Sequence, residues 1–218
     1  YLTPVKYLVE QGASINQKSD PVGETALHIA GNTYRDESER TTSFKIVKLL
    51  MEKGADPNII HGVEYDNPTT PLHCFCGTES SNIEIIKYLV ENGTDPEIIT
   101  DPEYSPVLLT CKRKNDARKY YDYFTEKFPE ILKNKAFINN YLLQAANNRQ
   151  YGIMLDLLSH GANLNITNAD TETPLLNFMV SDNIPSEHPF SKKTATIDCI
   201  YSLIEKGAEI DVIHQYDG

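Results

Sequence analysis

The chain has 218 residues, 40% of them hydrophobic and 23% charged, and its 20 Lys and Arg against 31 Asp and Glu leave a net charge of −11. This composition can bury a core, while the acidic balance excludes a general binder of nucleic acid or anionic membrane, whose phosphates need clustered cations. No run approaches the ~18–20 apolar residues of a membrane span, and the four cysteines lack the spacing of a disulfide framework, which fits a reduced, cytoplasmic compartment.

In chain order, residues 1–16 hold one amphipathic helix, with Val5, Leu8 and Val9 on a face and Gly12 as its stop. Thr25-Ala26-Leu27-His28-Ile29-Ala30 opens a second helix, and Ile46-Val47-Lys48-Leu49-Leu50 leads to Gly54-Ala55-Asp56. The polar run 33–43 between them reads as a loop. After a longer finger at 61–67 comes Thr70-Pro71-Leu72-His73, where Thr70 suits the N-cap and Pro71 the first helical position. Ile83, Ile85, Ile86, Leu89 and Val90 then form an amphipathic helix ended by Gly93, a residue that adopts positive φ at no steric cost.

Ser105-Pro106-Val107-Leu108-Leu109 starts the next unit, whose second helix is aromatic: Tyr120, Tyr121, Tyr123 and Phe124. Helical spacing predicts Tyr120, Tyr123 and Phe124 inside and Tyr121 partly outside. Phe128 takes the glycine's place, and 12 residues on, 140–146 falls at the next helix start. Ile153, Met154, Leu157 and Leu158 run to Gly161, and Thr173-Pro174-Leu175-Leu176 opens a unit that ends at Gly207 with an insertion at 181–195. Residues 212–218 begin one more. Neither end carries a polar capping face, so both are expected to be cut edges of a longer array or of a protein with further domains.

Two phrases therefore alternate: Gly-Ala-Asp or a variant at each helix stop, Thr-Pro-Leu-His or a variant at each helix start. Gly93 to Ser105 and Gly161 to Thr173 are both 12 residues. This resembles the ankyrin repeat, whose period is about 33 residues. The resemblance implies an all-α solenoid of stacked helix pairs with projecting β-hairpin or loop fingers. It divides 1–218 into one array: a partial repeat at 1–16, repeats at 20–58, 59–97, 98–133, 134–165 and 166–211, and a partial repeat at 212–218.

In that family the histidine of the helix start bonds to the neighbouring Thr and to backbone. His28 and His73 are therefore expected to be structural. Cys74 and Cys76 sit about 200° apart on a helix, so they cannot easily point at one ion. Buried, inert thiols are the expectation for them and for Cys111. Phosphate-binding loops, HExxH and G-x-S-x-G are absent from the sequence. No enzyme activity, cofactor or metal is expected.

The family binds other proteins across fingertips and first helices. Carried over by register, the resemblance points to Glu64, Tyr65, Asp66, Asp101, Tyr104, Asp170 and Glu172 on the fingers. On first helices it points to Leu109, Lys112, Arg113, Gln144 and Asn148, together with Ile29 and Cys74. Lys112 and Arg113 form a basic patch beside acidic fingers, a two-signed surface that would orient a partner. The expected partner is a protein, with no nucleic acid or membrane involved, and the expected state is a monomer. Irregular repeat lengths and abundant Asn, Tyr and Ile are similar to ankyrin proteins of intracellular bacteria and large DNA viruses, which would place the chain in a host cytosol as an effector or host-range factor. The alternatives are the targeting half of a larger enzyme effector and a ubiquitin-ligase substrate adaptor. The latter would need an F-box-like helix that these residues lack.

Overall fold

The computed structural model describes residues 2–19, 21, 23–32, 37–61, 69–78, 82–100, 104–113, 116–167, 173–174, 178 and 193–209. The chain is all-α, and among these residues the only β pairing is one antiparallel bridge between His61 and Thr69. It forms two compact units, Tyr1–Ile99 and Thr100–Gly218.

The first unit contains α1 (Leu2–Glu10), α2 (Ala26–Asn32), α3 (Glu37–Glu52), α4 (Pro71–Gly77), α5 (Ile83–Glu91) and α6 (Pro96–Thr100), the last crossing into the second unit by one residue. Helices pair within a repeat, α2 with α3 and α4 with α5, and repeats stack through α1 on α3 and α2 on α4. The core is the apolar face the spacing predicts: Leu27, Val47, Leu50, Leu72, Phe75, Ile85, Ile86 and Leu89 are all buried. α3 corrects one expectation. The run 33–43 is not all loop, because α3 begins at Glu37. Ser43, the last residue of the run, is buried with its hydroxyl donating to the Ala30 carbonyl at 3.2 Å. From Glu37 on, the polar run is helical rather than a break.

The glycine stops hold. Gly12, Gly54 and Gly93 have φ of +84°, +89° and +114°. At Gly93 a β-branched side chain would be strained by the backbone itself, since only Pro57 Cγ, at 3.8 Å, stands near the added Cβ. Gly93→Val is expected to cost about 1–3 kcal/mol, measured by urea denaturation, and an unchanged midpoint would show that the backbone at 93 leaves this conformation freely.

The second unit contains α7 (Pro106–Leu109) with a 3₁₀ turn at Thr110–Lys112, α8 (Ala117–Lys127), a 3₁₀ turn at Pro129–Lys133, α9 (Lys135–Asn147), α10 (Tyr151–Ser159) and α11 (Lys193–Glu205). Its core is aromatic: the Tyr121 and Phe137 rings lie 5.4 and 5.9 Å from Tyr141, and Tyr120 and Phe124 are buried beside them. Three expectations change here. Tyr121 is buried and Tyr123 is half-buried, because Ala117, Tyr120, Tyr121 and Phe124 make the inward stripe and Tyr121 packs on Tyr141. Phe128 does not imitate the glycine: its φ is −129°, and Pro129 starts a 3₁₀ turn in place of a left-handed cap. α9 begins at Lys135, ahead of 140, because the Asn134 side chain accepts the Phe137 N–H at 3.2 Å and caps it there. Of the insertion expected at 181–195, residues 181–192 lie outside the described residues and 193–195 are helical.

Candidate partner-binding surface

The helix starts are tied down by a reciprocal arrangement. His28 Nδ1 accepts the Thr25 N–H at 3.1 Å and lies 2.8 Å from its hydroxyl, and His73 repeats this with Thr70 at 3.2 and 2.8 Å. With Nδ1 accepting, the proton of His28 sits on Nε2, which donates to the Thr69 carbonyl of the next repeat at 3.2 Å. Burial, then the neighbouring His61, lower the pKa of His28 to about 4, so it is a neutral strut. The structural role expected of both histidines is what the geometry shows.

A second tie was not anticipated. The asparagine four residues after a stop glycine clamps the next repeat: Asn16 donates to the Gly54 carbonyl and accepts the Asp56 N–H, both at 2.9 Å. Asn58 does the same with Gly93 and Asp95 at 2.8 Å, and Asn165 with Gly207 and Glu209 at 3.0 Å. Repeat 98–133 lacks that asparagine. Lys135 Nζ supplies the donor to the Gly161 carbonyl at 2.9 Å, and Asn139 accepts the Asn163 N–H at 2.8 Å. The recurrence of Asn at that offset was the available signal, and at Gly161 the two bonds come from α9 of the same repeat.

These ties leave fingers and first-helix positions outside the core. Of the finger candidates, Glu64, Tyr65, Asp66, Asp101, Asp170 and Glu172 lie outside the described residues, and Tyr104 is half-buried just before the Ser105 cap. On the first helices, Lys112 and Asn147 are exposed, while Leu109, Gln144 and Asn148 are half-buried, Asn148 donating to the Gln144 carbonyl at 2.8 Å. Ile29 is 46% exposed.

Arg113 requires correction. It is 2% exposed, its guanidinium lies 4.1 Å from the Tyr120 ring centroid, and Nε and Nη2 hold Asp116 at 2.7 and 3.2 Å. A planar cation stacked on an aromatic and paired with a carboxylate is a core fastener, and its backbone carbonyl accepts from Gln150 Nε2 at 3.0 Å. Arg118, five residues on, is paired with Asp122 and Asp156, each at 2.7 Å. The expected patch thus keeps Lys112 and loses Arg113. Cys74, placed by register on the exposed face, is instead buried at 9%.

Nothing among these groups resembles a reaction centre. An open groove of about 650 Å³ between α10 and α11 is lined by Leu155, Leu158, Ala162, Leu164 and Ser202, with Lys206 its one titratable residue. Among the described residues no three His, Cys, Asp or Glu are placed to hold a metal, and no helix is long and apolar enough to cross a membrane.

Capped helix pairs, glycine stops and inter-repeat ties define an all-α repeat protein of stacked helical hairpins. The family model for the ankyrin repeat matches residues 22–61 and 69–101, so the chain contains ankyrin repeats. No curated protein matches it. Ankyrin repeats are generally protein–protein interaction modules, typically without enzymatic activity.

Proposed function

We propose that this chain is a non-enzymatic recognition module. It holds a partner protein through finger residues Glu64, Tyr65, Asp66, Asp101, Tyr104, Asp170 and Glu172 and first-helix residues Leu109, Lys112, Gln144 and Asn148. The observation that carries this reading is where apolar surface is left over. Leu50, Leu89, Leu157 and Leu203 on second helices go inward, yet Ile29 on a first helix is 46% exposed and Ile60 at a finger base is 40% exposed; Tyr7 and Leu8 on α1 and Tyr201 on α11 are exposed too. Large apolar groups on the side the family uses for binding are surface that a partner can dry. The acidic fingers supply orientation, and Tyr65, on the longest of them, supplies an aromatic anchor. Composition and irregular repeat lengths support a site of action in a host cytosol.

The test is affinity capture from host lysate with mass spectrometry, run with the parent and with two variants. Combined Glu64→Ala, Tyr65→Ala and Asp66→Ala is expected to reduce capture of the same partner about tenfold or more with an unchanged melting temperature, since anchors cost about 2 kcal/mol or more when truncated. Ile29→Asp is expected to do likewise. Undiminished capture by both variants refutes this surface.

A further inference from the structure

The residue before the stop glycine varies along the chain: Gln11, Lys53, Asn92, His160 and Lys206. Asn92 is also the only asparagine of the chain that a glycine follows. An asparagine side-chain amide can close a five-membered ring through the next residue's backbone nitrogen. Glycine brings no Cβ to hinder that closure.

The local structure adds a second condition. At four of the stops the glycine N–H is engaged: Gly12, Gly54, Gly161 and Gly207 donate to the carbonyl three residues back, at 3.1, 3.1, 2.9 and 2.9 Å. Gly93 N–H makes no such bond among the described residues. Its neighbours Asn92 and Thr94 both donate to the Leu89 carbonyl instead, at 3.2 and 3.3 Å. Asn92 and Gly93 are both exposed, so water reaches the pair. Asn92 is the C-cap, past the last residue of α5, and ring closure breaks no bond inside that helix. Its side chain is held by one exposed bond, Nδ2 donating to the Tyr88 carbonyl at 2.8 Å, which water replaces at small cost.

We propose that Asn92 is a site of spontaneous deamidation, converting through a succinimide to isoaspartate and aspartate, and that the isoaspartate form releases the clamp of Asn58. This goes beyond the recognition reading and does not depend on it. The Gly93 nitrogen gives its proton to hydroxide and attacks Asn92 Cγ. The new N–C bond forms as the Cγ–Nδ2 bond breaks, and Nδ2 takes a proton from water and leaves as ammonia. Water then opens the ring at either carbonyl carbon. Opening at the backbone carbonyl leaves isoaspartate, and opening at Cγ leaves aspartate. Isoaspartate adds one atom to the backbone between residues 92 and 93. Asn58 holds the Gly93 carbonyl and the Asp95 N–H at 2.8 Å each, two bonds in a fixed register just after that point. The longer backbone cannot keep both. Either product also places a new negative charge between Glu91 and Asp95, in a chain already at −11.

The experiment ages the folded parent in mildly alkaline buffer and follows each asparagine by peptide mass spectrometry, with fragmentation that tells isoaspartate from aspartate. Asn92 is expected to convert several-fold faster than every other asparagine, with isoaspartate the larger product. Lys53→Asn, at an exposed position, makes the same dipeptide at Gly54, whose N–H is bonded to the Met51 carbonyl. Position 53 of that chain is expected to convert several-fold more slowly than Asn92. Should that variant not fold, the comparison within the parent decides. Deuterium exchange of the Asp95 N–H is expected to be several-fold faster in the isoaspartate form, isolated by anion exchange, than in the unaged parent. Asn92→Asp, with the same charge on an ordinary backbone, is expected to exchange at the parent rate. Asn92 converting no faster than the other asparagines, or no faster than position 53 of the variant, overturns the site. Unchanged Asp95 exchange in the isoaspartate form overturns the release.

Discussion

Leu50→Ala is expected to cost about 2–5 kcal/mol of stability, the range for deleting a buried leucine side chain, whereas Leu8→Ala is expected to cost less than about 0.5 kcal/mol. The two residues hold the same place, four before a stop glycine, and the other residues of that register are Leu89, Leu157 and Leu203. Leu50 is 2% exposed and those three are 0%, but Leu8 is 57% exposed. The difference is the covering helix. α2 packs against α3, the helix of Leu50, as the first helix of its repeat, whereas the main helix contact of α1 among the described residues is with α3. Urea denaturation of the parent and both variants decides this. Equal losses would mean that Leu8 is buried in solution by something that covers α1.

Acid is expected to weaken the chain through His28. The folded state holds this imidazole neutral down to about pH 4, while the unfolded chain takes the proton near the ordinary value of 6.5. Between those values the unfolded state binds more protons, so stability rises with pH across the window. The contribution is fully present above about 6.5 and is lost as pH falls toward 4, by up to about 3 kcal/mol at about 1.4 kcal/mol per unit. The groups facing the ring are His61, the Thr25 hydroxyl, the Ile59 and Thr69 carbonyls and the more distant Lys18. His28→Asn should therefore be much more damaging at pH 7 than at pH 4.5. A loss in stability that stays constant between those two pH values would show that His28 does not titrate as a buried strut.

Reading the chain unaided recovers what short-range chemistry controls. Gly54, Gly93, Gly161 and Gly207 all stop helices with positive φ, because no other residue takes that conformation without strain. Thr25 with His28 and Thr70 with His73 were legible for the same reason: three residues apart, they meet within one turn. Errors arose where the deciding neighbour was distant in sequence. Tyr121 and Tyr123 are equally aromatic, and only Tyr141, 20 residues on from Tyr121, selects the first for burial. Arg113 looked like surface charge until Tyr120 and Asp116 closed on it. Lys135 and Asn139 carry no local sign of their role, and folding brings them to Gly161 and Asn163, 26 and 24 residues on.

The amino-acid sequence by itself determined the repeat class, the helix starts and stops and the apolar face of each helix, since caps, glycine stops and 3.6-residue periodicity act within a few residues. Only the tertiary structure decided which polar side chains are fasteners and which stay on the surface. It also set the acid response of His28. A side chain's solvation and charge state depend on groups that chain folding carries to it from elsewhere, and no local pattern records their arrival.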